Sequence, residues 1–353
     1  MKEFRSPAGD IYHGPIADGL RDVIQSFDAS SLILIADNHT VADCVPSLNN
    51  IIGSVDCIVI PSGESNKTLE STQQIWSALL LAGVDRSSLV LNVGGGMITD
   101  LGGFAASCYQ RGIRFGHIPT SLLGMADAAI GGKTGVNYQG YKNYIGRFEI
   151  PSFIWIDPTF LNTLPQEEVK DGLTEIVKHG ILSGGPLWEL IAKAKDVNGM
   201  DWISVLELNT PVKQKIVEAD PYEKDVRKTL NFGHTIGHAL ESHFMLSGQA
   251  LSHGKAVALG MLAEAWIARQ TNLMGNEDFQ AIIDVIERLL GPYEVTLPSA
   301  GELDHWLSGD KKKSEGRIGY SLPERIGLCR WDLAVEQEMV EESMNWLSTQ
   351  VRR

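Results

Sequence analysis

The stretch Leu89-Val-Leu-Asn-Val93-Gly94-Gly95-Gly96-Met-Ile-Thr-Asp100 decides the fold. A short apolar run bounded by turn residues reads as a strand covered on both faces. Three glycines end it, and a helical run follows. A glycine turn between strand and helix lets a backbone approach a pyrophosphate, and the helix N-terminus behind it favours negative charge. The spacing is not G-x-G-x-x-G, so the same residues also suit a tight turn with no ligand.

The signal repeats on either side. Leu32-Ile-Leu-Ile-Ala36 ends at Asp37-Asn38, and Cys57-Ile-Val-Ile60 ends at Pro61-Ser-Gly-Glu64. A helical pattern over Thr68–Ala82 separates the second strand from Leu89–Val93, and Phe153-Ile-Trp-Ile156 is the last clear strand. Alternation of this kind predicts a parallel sheet with crossover helices. From about Pro165 the pattern turns helical, over Gln166–Leu182, Val212–Ala219, Arg227–Phe244, Lys255–Gln270 and Glu277–Leu290. A short two-strand element, Arg317–Leu322 with Ile326–Leu328, precedes a last helix from about Leu333. The expected fold is therefore α/β. An N-terminal Rossmann-like parallel-sheet domain (residues 1–157) is followed by a mostly α-helical metal-binding domain (residues 158–353).

Composition narrows the function. The 353 residues carry a net charge of -14, which leaves no basic stripe to neutralise phosphates and excludes nucleic acid as the expected partner. Cys44, Cys57, Cys108 and Cys329 are scattered without metal or redox spacing, as expected of reduced thiols in a cytoplasmic protein. No apolar run is long enough to span a bilayer, so no membrane partner is expected.

Histidine is scarce, nine in the chain, yet His234 and His238 stand four apart in Asn231-Phe-Gly-His-Thr-Ile-Gly-His238, and His253 opens the next helical run. Residues four apart share a helix face. Spacing alone thus offers three imidazoles to one metal, with a position left open for catalysis; a chance surface pair is the competing reading. Glu175 and Lys178, three apart on one helix, are either a surface ion pair or a metal ligand with a cation beside it. The polar-glycine segment from Asp127 through Gly131-Gly-Lys133 to Lys142-Asn143 resembles a phosphate-cradling loop without P-loop spacing, and equally an ordinary solvated loop. Glu64 and Lys67 sit at a strand end, the edge where such sheets bind ligands. Lys213, Arg227 and the run Lys311-Lys312-Lys313 add cations. Arg227 lies four before Asn231 and seven before His234, which puts it on their helix face.

Together these motifs resemble the sugar phosphate cyclases, and among them the 3-dehydroquinate synthase family. The match runs from about Asp37 to Gly327. Its specific parts are Pro61-Ser-Gly-Glu-x-x-Lys67, Gly94-Gly-Gly-x-x-x-Asp100, Arg111-Gly, Ile118-Pro-Thr120, Gly131-Gly-Lys133-Thr-Gly-Val-Asn137, Lys142-Asn143, Glu175-Ile-Val-Lys178, Leu230-Asn-x-Gly-His-Thr-x-Gly-His238, His253-Gly and Asp310-Lys-Lys. The resemblance implies zinc, or cobalt in its place, held by Glu175, His234 and His253, with His238 a neighbour and not a ligand. It implies NAD over Gly95, Gly96 and Asp100, with Glu64 and Lys67 at its adenosine ribose. Asp37, Thr120, Ser121, Leu123, Lys142, Phe160, Thr163, Leu164 and Glu168 would complete that site. A small sugar phosphate would contact Asp127, Lys133, Asn143, Lys178, Lys213, Arg227, Asn231, His238 and Lys311 or Lys312. Arg111 would reach a neighbouring subunit's site, which implies a homodimer. Ser121 stands where a second threonine is usual and His39 where asparagine is frequent.

The implied reaction converts 3-deoxy-D-arabino-heptulosonate 7-phosphate to 3-dehydroquinate and phosphate. It proceeds by transient NAD-dependent oxidation, β-elimination, reduction and intramolecular aldol closure. A related cyclase, such as an aminodehydroquinate synthase, and a metal-dependent NAD polyol dehydrogenase are the alternatives. The second would consume NAD and has no use for the phosphate-binding lysines.

Overall fold

The computed structural model describes residues 1–351 except Gly140, Ala250, Glu294 and residues 312–317. The strands, in chain order, are β1 (Lys2–Phe4), β2 (Ile11–His13), β3 (Leu32–Asp37), β4 (Cys57–Ile60), β5 (Leu89–Gly94), β6 (Arg114–Pro119), β7 (Lys133–Tyr138), β8 (Tyr141–Phe148), β9 (Phe153–Ile156), β10 (Tyr320–Arg325) and β11 (Leu328–Leu333). Seven of them form one sheet in the order β1-β2-β9-β6-β5-β3-β4. Every pairing is parallel apart from β1 with β2. The parallel Rossmann-like core is thus as expected, and every residue of β5 is buried. The crossover helix Leu69–Leu81 keeps its boundaries because Thr68 accepts the Ser71 N–H as N-cap. Ile75 and Leu79 of that helix join Ile33, Ile35, Val90, Leu101 and Phe115 in the core.

The order reverses between β3 and β5: from β3 the chain goes outward to β4, then returns to the other side for β5, β6 and β9. Ligands of open α/β sheets bind beyond the carboxyl ends of the strands at such a point. Asp37 ends β3 and Gly94 ends β5.

The chain divides into two compact units, residues 1–172 with 202–221, and residues 173–201 with 222–353. The sequence reading put the division at Asp157. Two segments account for the difference. The turn Pro158–Thr163, capped by Asp157, and the first part of helix Gln166–Ser183 stay with the sheet. Helix Trp202–Ala219 also belongs to it, through Asn209 to the Ala126 carbonyl (2.8 Å) and His13 Nε2 to Thr210 Oγ1 (2.9 Å). The second unit is mainly helical, with helices His234–Leu246, His253–Gln270, Asn276–Leu290 and Gln337–Val351 and the hairpin β10–β11.

Two further expectations are corrected. The polar-glycine segment is not a simple loop: most of it is the antiparallel hairpin β7–β8. The run Arg227–Phe244 is not one helix. A 3-10 turn, Val226–Asn231, ends before Gly233, which takes φ 79°, and the α-helix starts at His234. A Cβ on Gly233 would lie 2.4 Å from Met261 Cγ, so the break belongs to the packing. Arg227 therefore does not share a helix with His234.

Candidate functional site

In the first unit, the glycine turn is built from backbone contacts. Thr120 N–H donates to the Gly94 carbonyl at 3.0 Å, and Gly95 is the N-cap of helix Gly96–Cys108. A Cβ on Gly95 would stand 3.1 Å from Ser121 Oγ, and one on Gly96 3.2 Å from Ala128 Cβ. Both glycines are thus held in close packing that a side chain would crowd, at the start of a helix whose first N–H groups lack intrahelical acceptors. This suits the pyrophosphate of a dinucleotide.

Asp37 Oδ1 accepts the N–H groups of His39 and Thr40, each at 2.9 Å, and Thr40 Oγ1 donates to the Val93 carbonyl at 3.1 Å. The two strand ends at the switch point are thereby tied together. Lys67, buried, donates to Asp100 Oδ2 at 2.7 Å and lies 3.4 Å from Glu64 Oε1. Burial lowers the Lys67 ammonium, but Asp100 and Glu64 outweigh it and hold it above its ordinary range. Lys67 therefore braces two of the predicted nucleotide residues. Thr120 and Ser121 are buried, Phe160 likewise, Leu123 and Leu164 half-buried, and Thr163, Glu168 and Lys142 exposed.

The sequence reading did not single out Asn137. Its amide donates to Glu64 Oε1 at 2.9 Å, its N–H donates to the Lys67 carbonyl at 2.8 Å, and its Oδ1 accepts the Asn143 N–H at 2.9 Å. It joins the Glu64 turn to hairpin β7–β8 near its tip, where Asn143 is exposed with φ 51°; Lys133, also exposed, stands at the hairpin's other end, opposite Phe148. Its place at the end of Gly131-Gly-Lys-Thr-Gly-Val-Asn137 was the available signal. Asp127 and the buried Lys213 form an ion pair in the same unit. Arg111 is exposed, at the end of a turn in which it and Gln110 both have positive φ.

In the second unit, three ligand-type side chains converge. Glu175 Oε1 lies 3.5 Å from His234 Nε2 and 3.6 Å from His253 Nε2. Ligand atoms around a tetrahedral zinc at about 2.1 Å stand roughly 3.4 Å apart, so the spacing fits one ion. The remaining ring nitrogens are also committed. His234 Nδ1 meets the Phe232 carbonyl at 3.2 Å, which selects the tautomer with a lone pair on Nε2. His253 Nδ1 lies 3.7 Å from Glu241 Oε2, a carboxylate behind a ligand histidine. Glu241 was also missed; only the fold brings it to His253.

Electrostatics support a cation here. Glu175 is 1% exposed and pairs with the equally buried Lys178. Burial holds His234 well below its ordinary range, with Lys178 adding to the effect. Burial also lowers His253, but Glu175 and Glu241 outweigh it and raise it to about 10. A metal at Nε2 replaces that proton, so uptake of the ion releases protons. His238 is exposed, its ring 5.0 Å from His234 and 5.9 Å from His253. The group Glu175, His234 and His253 is the one implied by family resemblance; the all-histidine set from spacing is not among the converging groups of the described residues.

Arg227 is 1% exposed, and Asn231 donates to Glu223 Oε1 at 3.0 Å. Lys311 closes helix Ala300–Lys311, while its side chain and all of Lys312 lie outside the described residues. No helix among the described residues is long and apolar enough to cross a membrane.

Comparison with known proteins places these features in one family. Residues 57–171 match the 3-dehydroquinate synthase N-terminal family and residues 172–313 the 3-dehydroquinate synthase C-terminal family. The two matches meet within one residue of the first division between the compact units. The chain is 36% identical over 332 residues to 3-dehydroquinate synthase of Parabacteroides distasonis, covering 93% of this chain and 94% of that one. It is 40% identical over 276 residues to that of Pyrococcus abyssi, covering 78% and 80%. Among solved structures it resembles ValA, the 2-epi-5-epi-valiolone synthase of Streptomyces hygroscopicus subsp. jinggangensis 5008, which has NAD+ and Zn2+ bound. That likeness has a TM-score of 0.84, 26% identity and 99% coverage of both chains.

Proposed function

Because this chain belongs to the 3-dehydroquinate synthase family, we propose that it converts 3-deoxy-D-arabino-heptulosonate 7-phosphate to 3-dehydroquinate and phosphate. NAD and a divalent ion, zinc or cobalt, are its proposed cofactors, and a homodimer its proposed assembly. The observation that carries this reading is the converging Glu175, His234 and His253 with the buried Lys178 beside them, in a chain that also has the glycine turn at its sheet switch point.

When bound, the cofactors supply a reversible hydride acceptor and a Lewis acid. The rest falls to the chain. The glycine turn at the start of helix Gly96–Cys108 takes the pyrophosphate, and Lys67 holds Asp100 in place. Lys178, Lys213 and Arg227 are cations at 1%, 5% and 1% exposure. Lys178 pairs with Glu175 and Lys213 with Asp127, so two of these charges already stand beside carboxylates of the chain. Membership of the family, not these charges, favours a phosphate-bearing substrate over a neutral polyol. Lys133, exposed, binds phosphate, with Lys311 or Lys312 assigned the same task. His238, exposed beside the metal ligands, holds and returns a proton at a substrate hydroxyl, and Asn231 orients that hydroxyl. The conversion involves no net redox change, so NAD is regenerated in each turnover.

The experiment is to incubate purified protein with the substrate, NAD and zinc, and to follow phosphate and NADH together. Stoichiometric phosphate without NADH accumulation supports the reading. NADH accumulation with simple polyols and no phosphate release refutes it in favour of a dehydrogenase.

A further inference from the structure

Helix His234–Leu246 starts without a side-chain cap of its own. An α-helix leaves its first N–H groups without intrahelical acceptors, and a Ser, Thr, Asp or Asn at the N-cap ordinarily takes one of them. Here the N-cap is Gly233. Its positive φ excludes a capping side chain, and so does its packing: a Cβ there would lie 2.4 Å from Met261 Cγ and 2.9 Å from the Val257 carbonyl oxygen.

The missing acceptor comes from another helix. Glu264, at 0% exposure, accepts the Gly233 N–H on Oε2 at 2.6 Å and the Ile236 N–H on Oε1 at 3.1 Å. Both oxygens are used, and the two donors bracket His234. A second glycine makes the approach possible: a Cβ on Gly260 would lie 2.0 Å from the Gly233 carbonyl oxygen. Glu264 follows Gly260 by four residues and so lies on the same face of helix His253–Gln270. His253, Val257, Gly260 and Glu264 form one stripe, about 16 Å from end to end. The helix that carries one histidine of the metal triad thus also holds the backbone of the other.

We propose that Glu264 is a positioning residue of the metal centre, fixing the helix start at His234 in register with His253. The proposal rests on the metal reading above. A carboxylate is required because both of its oxygens accept, whereas an amide offers one acceptor and turns an N–H against the second donor.

The test is metal binding by the full chain, stripped and then titrated with Co2+ and Zn2+, with the cobalt absorption spectrum reporting coordination geometry. Glu264→Gln keeps the shape and is expected to weaken metal affinity by about 10-fold, the loss of one hydrogen bond to a charged acceptor, and to alter the cobalt bands. Glu264→Asp keeps the charge on a shorter stem and is expected to fall between the two; it carries the measurement if Glu264→Gln does not fold. Ile283→Val, a core change on another helix, is expected to lower thermal stability with metal affinity unchanged. Folded Glu264→Gln with wild-type affinity and a wild-type cobalt spectrum would make Glu264 a structural cap alone and overturn this inference. A wild-type chain that takes up neither metal overturns the metal reading and the inference with it.

Discussion

Removing Asp100 is predicted to cost far more stability than a surface ion pair would. Lys67 is buried, with Asp100 Oδ2 at 2.7 Å and Glu64 Oε1 at 3.4 Å. At an effective dielectric constant of about 20, the closer pair interacts by roughly 6 kcal/mol before desolvation. Breaking a buried pair from one side costs about 3–5 kcal/mol, because the remaining charge is left uncompensated. Glu64 stays nearby, but its side chain is 42% exposed and its attraction is screened by solvent. The expected cost of Asp100→Asn therefore lies at the lower end, about 3 kcal/mol. The assay is equilibrium urea unfolding followed by circular dichroism, on Asp100→Asn, Lys67→Met and the double variant. Removing the orphaned ammonium should restore stability, so the double variant is expected to be more stable than Asp100→Asn alone, with a coupling of about 2 kcal/mol. A loss below about 1 kcal/mol, or additive effects, would refute the view that Lys67 depends on Asp100 for its burial.

Three further outcomes follow from the same structure. Glu175→Gln is predicted to lower metal affinity by more than about 100-fold, beyond the loss usual for an outer-shell partner, and to abolish turnover; an active variant shown to be metal-free by elemental analysis would contradict the ligand assignment. Lys133→Ala is predicted to raise the KM for the phosphate-bearing substrate by about 10-fold while NAD affinity stays within about twofold, the loss of one charged hydrogen bond; equal losses in both would remove its phosphate role. Burial holds His117 down at about 3 and His13 at about 4, so both are neutral in the folded chain and protonate more readily when unfolded. Their contribution is present above the unfolded pKa near 6.5 and is lost as pH falls toward the folded values, about 2 kcal/mol each between pH 7 and pH 5. His117→Gln should flatten that acid slope in urea unfolding, and an unchanged slope would count against it.

The sheet strands with hydrophobic runs were legible because both faces are covered: Leu32–Ala36 and Leu89–Val93 carry the signal of a two-sided core. Hairpin β7–β8 was not, because Tyr141, Tyr144 and Phe148 are exposed and leave no alternation to read. The break at Gly233 was hidden for a different reason. The glycine in Asn231-Phe-Gly-His234 permits a break without requiring one; that no other residue fits there depends on Met261 and Val257 of another helix. The same holds for Glu241 and Glu264, whose roles arise only when two helices meet. Spacing offered His234 and His238 as a ligand pair, and the fold instead brings Glu175 to His234 and His253. The spacing of Glu175 and Lys178 left that carboxylate either a surface ion pair or a ligand; distance along the chain hid its meeting with His234 and His253, and the family resemblance chose between the two.

The most direct measurement is simultaneous assay of phosphate and NADH during turnover of 3-deoxy-D-arabino-heptulosonate 7-phosphate with NAD and zinc, with the product identified by mass and proton spectra. The account predicts one phosphate per 3-dehydroquinate formed and no net NADH. Steady NADH production without phosphate, or a different cyclic product, would contradict it.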